Sequence, residues 1–240
     1  MTARYGMSRQ IWAFLASIGA GVLSIAWLLK GDLLWAVVWA VLAVAAHRVA
    51  RAWNRNHPLP MPYFMRPVLF LPRGPHSPEN LKGILEPRRG ERILEIGAGV
   101  GIHALPIAAS LLPSGILDTL DVQQEMVDDL KRRAVKAGIT NIVAKQGDAQ
   151  ALPYPDHTFD AAYAIGVLGE ISDATATLRE LRRVLKPRGR LIIGEVLIDP
   201  DYVTPADLQD KAREAGLIFE RTGGPKFSYL AVFRPAAMAT

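Results

Sequence analysis

Residues Arg92 to Gly101, R-I-L-E-I-G-A-G-V-G, constrain this chain more than any other stretch. Arg92 to Ile96 is a short, largely apolar run, and it leads into glycines at alternate positions, Gly97, Gly99 and Gly101. Ile102 to Leu112 then has helical periodicity, so the glycines fall at a strand-to-helix turn. Glycine lets backbone come close to a ligand, and the helix that follows offers free N–H groups to polar or anionic atoms. A nucleotide-like cofactor is expected there. A dinucleotide fingerprint would need its third glycine at position 102, which is Ile102, so the expected ligand is of another kind.

The rest of the 240-residue chain divides by composition. All five tryptophans (Trp12, Trp27, Trp35, Trp39, Trp53) lie in the first 53 residues, and no acid occurs between Asp32 and Glu79. Up to His57 the net charge is +5, and the remainder is neutral, so the basic balance belongs to the N-terminal segment. It is not the footprint of a nucleic-acid-binding domain. With no cysteine there is neither disulfide nor thiolate chemistry, and the five histidines have no metal-ligand spacing, so no metal is expected.

Ile11 to Leu29 carries no charge over 19 residues, close to the length that crosses a bilayer as a helix. After Lys30-Gly31-Asp32, a second apolar run extends from Leu33 to Ala46 and towards Ala50. Together they read as a transmembrane helical hairpin over residues 1–56, with a cleaved signal peptide or a buried soluble pair as the alternatives. Trp12, Trp27, Trp35 and Trp53 fall near the expected interfaces. Arg4 and Arg9 precede the hairpin, and Arg48, Arg51 and Arg55 follow it. Both termini are therefore expected in the cytoplasm, with the protein in the inner membrane.

Residues 57–78 hold seven prolines among aromatic and aliphatic residues, a density that excludes regular helix or central strand. The segment is either a stiff linker or a juxtamembrane strip whose Arg66 and Arg73 meet lipid phosphates. Ser77-Pro78 reads as an N-cap and first turn of a helix reaching about Leu85.

From Glu91 strands and helices alternate, which argues for a parallel sheet with right-handed crossovers. Strands are expected near 92–96, 116–121, 141–145, 158–164 and 190–195, with helices near 102–112, 123–137, 173–185 and 205–215. Two last apolar runs, Leu217 to Glu220 and Tyr229 to Phe233, flank Gly223-Gly224-Pro225 and read as a hairpin.

The pattern E-x-G-x-G-x-G from Glu95 to Gly101 resembles motif I of the class I S-adenosylmethionine-dependent methyltransferases. Two further segments, Q-G-D-A-Q-A-L-P-Y from Gln146 to Tyr154 and L-K-P-R-G-R-L from Leu185 to Leu191, are similar to later motifs of that family. Arg188 stands where the family has glycine, which asks for a different turn or tolerated strain. The branch containing quinone-biosynthesis C-methyltransferases and bacterial phosphatidylethanolamine N-methyltransferases is nearest in style. The resemblance implies an α/β Rossmann-like seven-stranded sheet with an antiparallel C-terminal edge over residues 79–240. It also implies that S-adenosylmethionine binds and that S-adenosylhomocysteine is the product.

Carried over residue by residue, the resemblance places the methionine end on Gly97, Gly99 and Gly101 and the ribose on Asp121, with Glu95, Ala98 and Val122 as further cofactor-binding residues. The adenine falls to Gly147, Asp148 and Ala149, with Met126 packing on the ring. Each assignment has a plainer counterpart. Asp121 could be a solvent-facing strand-end aspartate, Met126 a core residue and Asp148 a turn former. Glu170, beyond the fourth strand, either holds or deprotonates the acceptor or caps the next helix. Tyr63 is the other candidate for work on the acceptor, while Asp160 reads as structural and His103 as a helix-start residue.

The N-P-P-Y type motif of nucleic-acid amino-methyltransferases is absent, the stretch there being Tyr163 to Glu170. The connection after the fifth strand, Leu197 to Thr204, leaves little room for a substrate cap. The expected function is a membrane-anchored methyltransferase whose partners are the bilayer and a lipid or lipophilic small molecule, with no nucleic acid. Methylation of a membrane protein and non-catalytic cofactor binding are the alternatives.

Overall fold

The computed structural model describes residues 9–54 and 58–237, so Arg4, Arg55 and His57, on which parts of the N-terminal reading depend, lie outside the described residues. The chain divides into two units at Pro62/Tyr63. The proline-rich stretch from Tyr63 onward thus packs with the second unit, where the sequence alone had set 57–78 apart.

In the first unit, α1 (Arg9–Leu29) and α2 (Leu33–Asn54) are joined by Lys30-Gly31-Asp32, with Gly31 at φ +79°. The two helices meet through small side chains. Ser17, Ala20, Ala36 and Ala50 are buried, and the Ser24 hydroxyl donates to the Ala36 carbonyl across the pair at 2.7 Å. The large apolar side chains point outward instead: Leu29 is 83% exposed and Leu34 70%.

The second unit is an α/β sandwich around a seven-stranded sheet ordered β3-β2-β1-β4-β5-β7-β6. Its parallel strands are β1 (Arg92–Ile96), β2 (Ile116–Asp121), β3 (Ile142–Gln146), β4 (Phe159–Ile165) and β5 (Leu185–Val196). The strands β6 (Leu217–Gly223) and β7 (Ser228–Pro235) make the antiparallel edge, with β7 inserted between β5 and β6. One face of the sheet is covered by α3 (Pro78–Leu85), α4 (Ala104–Leu111) and α5 (Gln124–Lys136), which contribute Leu81, Ile107 and Leu130 to a common core. Packing on the other face are α6 (Ala174–Val184) and α7 (Pro205–Glu214), through Leu178, Leu181 and Leu208.

Local signals set the element ends. Ser77 caps α3 by accepting from the Asn80 N–H at 3.2 Å, with Pro78 in the first turn. Asp173 caps α6 through the Ala176 N–H at 2.8 Å, so Glu170 is not that cap. Asp160 accepts from the Arg92 N–H and from Lys186 Nζ, tying β1, β4 and β5 together in the structural role expected of it.

Two expectations change. The L-K-P-R-G-R-L segment is the irregular start of β5, its register shifting between the Phe159 and Ala161 pairings, and Arg188 escapes left-handed backbone altogether. The proline-rich stretch forms two 3-10 segments, Tyr63–Phe70 and Gly74–His76, which hold regular turns despite Pro67.

Candidate functional site

Strand order reverses between β1 and β4, and it is outside the carboxyl ends of strands at such a point that open α/β sheets bind ligands. The glycine turn sits there. Gly97, Gly99 and Gly101 all have positive φ (+67°, +52° and +83°), a conformation side chains disfavour. A Cβ on Gly97 would stand 2.4 Å from Val167 Cγ2, beyond the end of β4, and one on Gly101 would stand 2.2 Å from Leu130 Cδ1. Ala98, between them, is buried.

Asp121, the last residue of β2, is 9% exposed and grips the turn. Its Oδ2 accepts from the Gly99 N–H and its Oδ1 from the Gln123 N–H, both at 2.9 Å. Burial raises its carboxyl pKa, and those two bonds pull it back down. A carboxylate has about four lone-pair sites, so acceptor capacity remains for ribose hydroxyls. Glu95, 3% exposed, has Oε2 without any hydrogen bond. Burial pushes its carboxyl up to about 8, with nearby Asp121 adding to the rise and Tyr163 and Arg73 opposing it.

The remaining sequence candidates fall around this centre. Val122 is exposed next to Asp121, and Met126 is 2% exposed at the start of α5 yet belongs to neither of the two apolar cores. Gly147 approaches Leu120 so closely that a Cβ would lie 2.7 Å from its Cδ1. Asp148 is exposed and turn-forming, accepting from the Gln150 N–H at 2.9 Å, while Ala149 is buried beside it. Glu170 lies in a short 3-10 turn, Leu168–Glu170, just beyond β4.

Tyr63 is tied elsewhere. Its hydroxyl donates to Asp129 on α5 at 3.4 Å, and the Arg66 guanidinium lies over its ring while pairing with the same aspartate. Arg66 is thus engaged with Asp129 on α5, and Arg73 donates to the Leu69 carbonyl within the same segment. Leu69 rests on the turn, its Cδ1 3.2 Å from where a Gly99 Cβ would be. Arg133 links the layers by donating to the Val100 carbonyl and stacking 4.7 Å from the Phe70 ring centroid.

Tyr63–His76 is thus a strap across the glycine turn, and its far end is pinned by imidazoles. His103 Nε2 donates to the His76 carbonyl at 2.8 Å, and His76 Nε2 donates to the Tyr229 carbonyl at 3.0 Å. Burial lowers both pKa values, that of His103 to about 4, so both rings are neutral at pH 7.

Beyond the carboxyl ends of β4 and β5 the structure adds two residues that sequence reasoning missed. Glu195, near the end of β5, is 1% exposed with Oε1 unbonded, and its Oε2 accepts from the Val203 N–H at 3.3 Å. Burial raises its pKa well above the ordinary carboxylate value. Gly169 presses against the segment after β5, where an added Cβ would meet the Asp201 carbonyl oxygen at 1.8 Å. The missed signal was the acidic end of β5 itself, where Glu195 occupies a position otherwise read as strand core.

Residues 94–193 match the family described as "Methyltransferase domain". The second unit thus carries a methyltransferase domain across residues 94–193. Over 144 residues the chain is 35% identical to 27-O-demethylrifamycin SV methyltransferase of Amycolatopsis mediterranei, covering 58% of this chain and 50% of that protein. It is 37% identical over 109 residues to a ubiquinone/menaquinone biosynthesis C-methyltransferase of Cellvibrio japonicus, covering 45% and 44%. The chain spans about half the length of these curated relatives.

A solved methyltransferase from Aquifex aeolicus shares the fold, with TM-score 0.66 and 21% identity over 73% of this chain and 98% of that one. A 4+2 cyclase shares it too, at TM-score 0.60 and 21% identity over 66% and 79%. The fold alone does not name a reaction. S-adenosylmethionine is the methyltransferase domain's cofactor, and these residues fit it. The turn admits no side chain where a ligand must approach the backbone, Asp121 keeps lone pairs for hydroxyls, and Glu95 offers a buried, unbonded oxygen.

Proposed function

We propose that this chain is a membrane-anchored methyltransferase acting on a lipid or lipophilic small molecule. One observation carries the reading: α1 and α2 bury Ala and Ser between them and turn Leu, Val and Ile outward. That arrangement is unfavourable in water and favourable in hydrocarbon, where close packing through small residues holds helices together. At 21 and 22 residues the helices are about 32 Å long, enough to span a bilayer. The basic flanks favour a cytoplasmic catalytic domain.

When bound, S-adenosylmethionine supplies an electrophilic methyl group on a sulfonium. The chain's own task is to bind and orient. Gly97, Gly99 and Gly101 receive the methionine end, Asp121 the ribose, with Val122 alongside, and Gly147, Asp148, Ala149 and Met126 the adenine. Glu170 faces the acceptor. Proximity and in-line alignment can supply most of the rate, so a strong base is not required. The apolar side chains of Phe64, Val68, Phe70 and Leu71 lie exposed along the strap and give a lipophilic acceptor a surface to rest on.

The test uses membranes containing the full chain, incubated with methyl-labelled cofactor and then extracted. Label in the organic phase is the expected result. Label retained in protein supports the alternative of a membrane-protein substrate, and absence of any transferred label overturns the enzymatic reading. Release of the chain by alkaline carbonate overturns the anchor.

A further inference from the structure

The first part of the strap has its polarity reversed. Residues three apart eclipse one another in a 3-10 helix, so Tyr63, Arg66 and Leu69 form one row. That row faces the domain: the Tyr63 hydroxyl and the Arg66 guanidinium reach Asp129, and Leu69 lies against the glycine turn. The next row, Phe64, Pro67 and Phe70, is exposed, and so are Val68, Leu71 and Pro72 beside it. Phe70 is backed by the Arg133 guanidinium, 4.7 Å from its ring centroid. Polar groups therefore point inward and apolar ones outward, the opposite of what water favours.

Three observations decide what covers this face. Half-exposed or more, Phe64, Val68, Phe70 and Leu71 present on the order of 400 Å² together, about half of what one partner gives to a standard protein interface. That is too little for a second copy to hold by itself, whereas a lipid surface sets no such minimum. The face is also free of negative charge, since no Asp or Glu occurs from residue 33 to 78, and Pro67 and Pro72 bring no N–H to desolvate. Finally, only residues 55–62 separate Asn54, the last of α2, from Tyr63, a reach of about 30 Å when fully extended. With α2 in a membrane, the strap is tethered within that distance of lipid.

We propose that the outer face of the strap, Phe64, Pro67, Val68, Phe70 and Leu71, lies in the boundary between headgroups and acyl chains of the bilayer, as interfacial segments do. The proposal rests on the membrane-anchored reading and deepens it by naming the partner of this surface. It also gives the acceptor a route. A lipophilic molecule reaches the strap by lateral movement within the bilayer, without crossing water, and Leu69 of the same segment already touches the glycine turn.

The chain has no cysteine, so single cysteines can be labelled without removing any native residue. The experiment places an environment-sensitive fluorophore on Phe64→Cys, Phe70→Cys and Leu71→Cys in the full chain, reconstituted in vesicles of phosphatidylcholine and phosphatidylglycerol. Lipids spin-labelled near the headgroup serve as quenchers. Leu23→Cys, exposed on α1, reports the anchor, and Ile218→Cys, exposed at the start of β6, reports a surface remote from the strap. Melting curves establish that each labelled protein is folded, and the three strap positions test the face independently. The expected result is a blue-shifted emission and loss of intensity on spin-labelled lipid at all three strap positions, with Ile218→Cys unaffected. Strap labels that are quenched no more than Ile218→Cys, while Leu23→Cys is quenched, overturn the proposal and leave the anchor standing. A blue shift that follows protein density and not quencher shows that a second copy covers the face, and it overturns the proposal too. An unquenched Leu23→Cys overturns the anchor reading, and the proposal with it.

Discussion

Gly97 and Gly169 both stand where an added Cβ would collide, but with different neighbours. Gly97 meets the side chain of Val167 and lies in left-handed backbone at φ +67°; Gly169 meets the carbonyl oxygen of Asp201 in ordinary backbone. The first glycine shapes a surface for a ligand to approach. The second lets two connecting segments, those after β4 and β5, lie directly on each other. On the proposed reading, the cofactor end is built from backbone conformation inside one motif, and the acceptor end from a meeting of segments distant in sequence. Disturbing one end should leave the other working.

Gly97→Ala should have the largest effect. Left-handed strain together with the Val167 collision should cost about 2–4 kcal/mol and remove measurable cofactor binding. Thermal melting and calorimetry check this, and near-normal values for both would mean the turn is not shaped as described. Gly169→Ala comes next. Forcing Asp201 away by an ångström should slow methyl transfer by about 100-fold while cofactor affinity stays within about twofold. A parallel fall in cofactor affinity would show that the two ends are one cooperative unit.

The smallest effect belongs to Asp121→Ala. Losing hydrogen bonds to the ribose should cost about 1–3 kcal/mol of cofactor binding, roughly 10- to 100-fold, with acceptor KM unchanged. Part of any stability loss will come from the Gly99 and Gln123 N–H groups it now satisfies. Unchanged affinity in the folded variant would remove the ribose assignment.

The same contrast explains what could be read in advance. The glycine turn, the Ser77-Pro78 start of α3, the strand-end aspartate and the terminal hairpin are signalled by residues a few positions apart, and local chemistry decides them. The strap was legible only as proline-rich. Its ties to the domain come from residues far along the chain, Asp129 for Tyr63 and Arg66 and Tyr229 for His76. Gly169 looked unremarkable because its constraint comes from Asp201, 32 residues on. Arg188 shows the converse: a local departure that implied strain is absorbed by the irregular start of β5.

The position of β7 bears on how the molecule is made. The ribosome delivers β7 after every other strand, yet it belongs inside the sheet, paired with β5 through Leu191↔Phe233 and with β6 through Phe219↔Phe233. Until Ser228–Pro235 emerges, β6 has no partner and β5 shows an open edge, the kind of surface that recruits other chains. By then α1 and α2 have long left the ribosome. Biosynthesis thus leaves a nascent chain whose amino-terminal helices are complete while its sheet is still unfinished, and this interval is when chaperone protection matters most to the molecule.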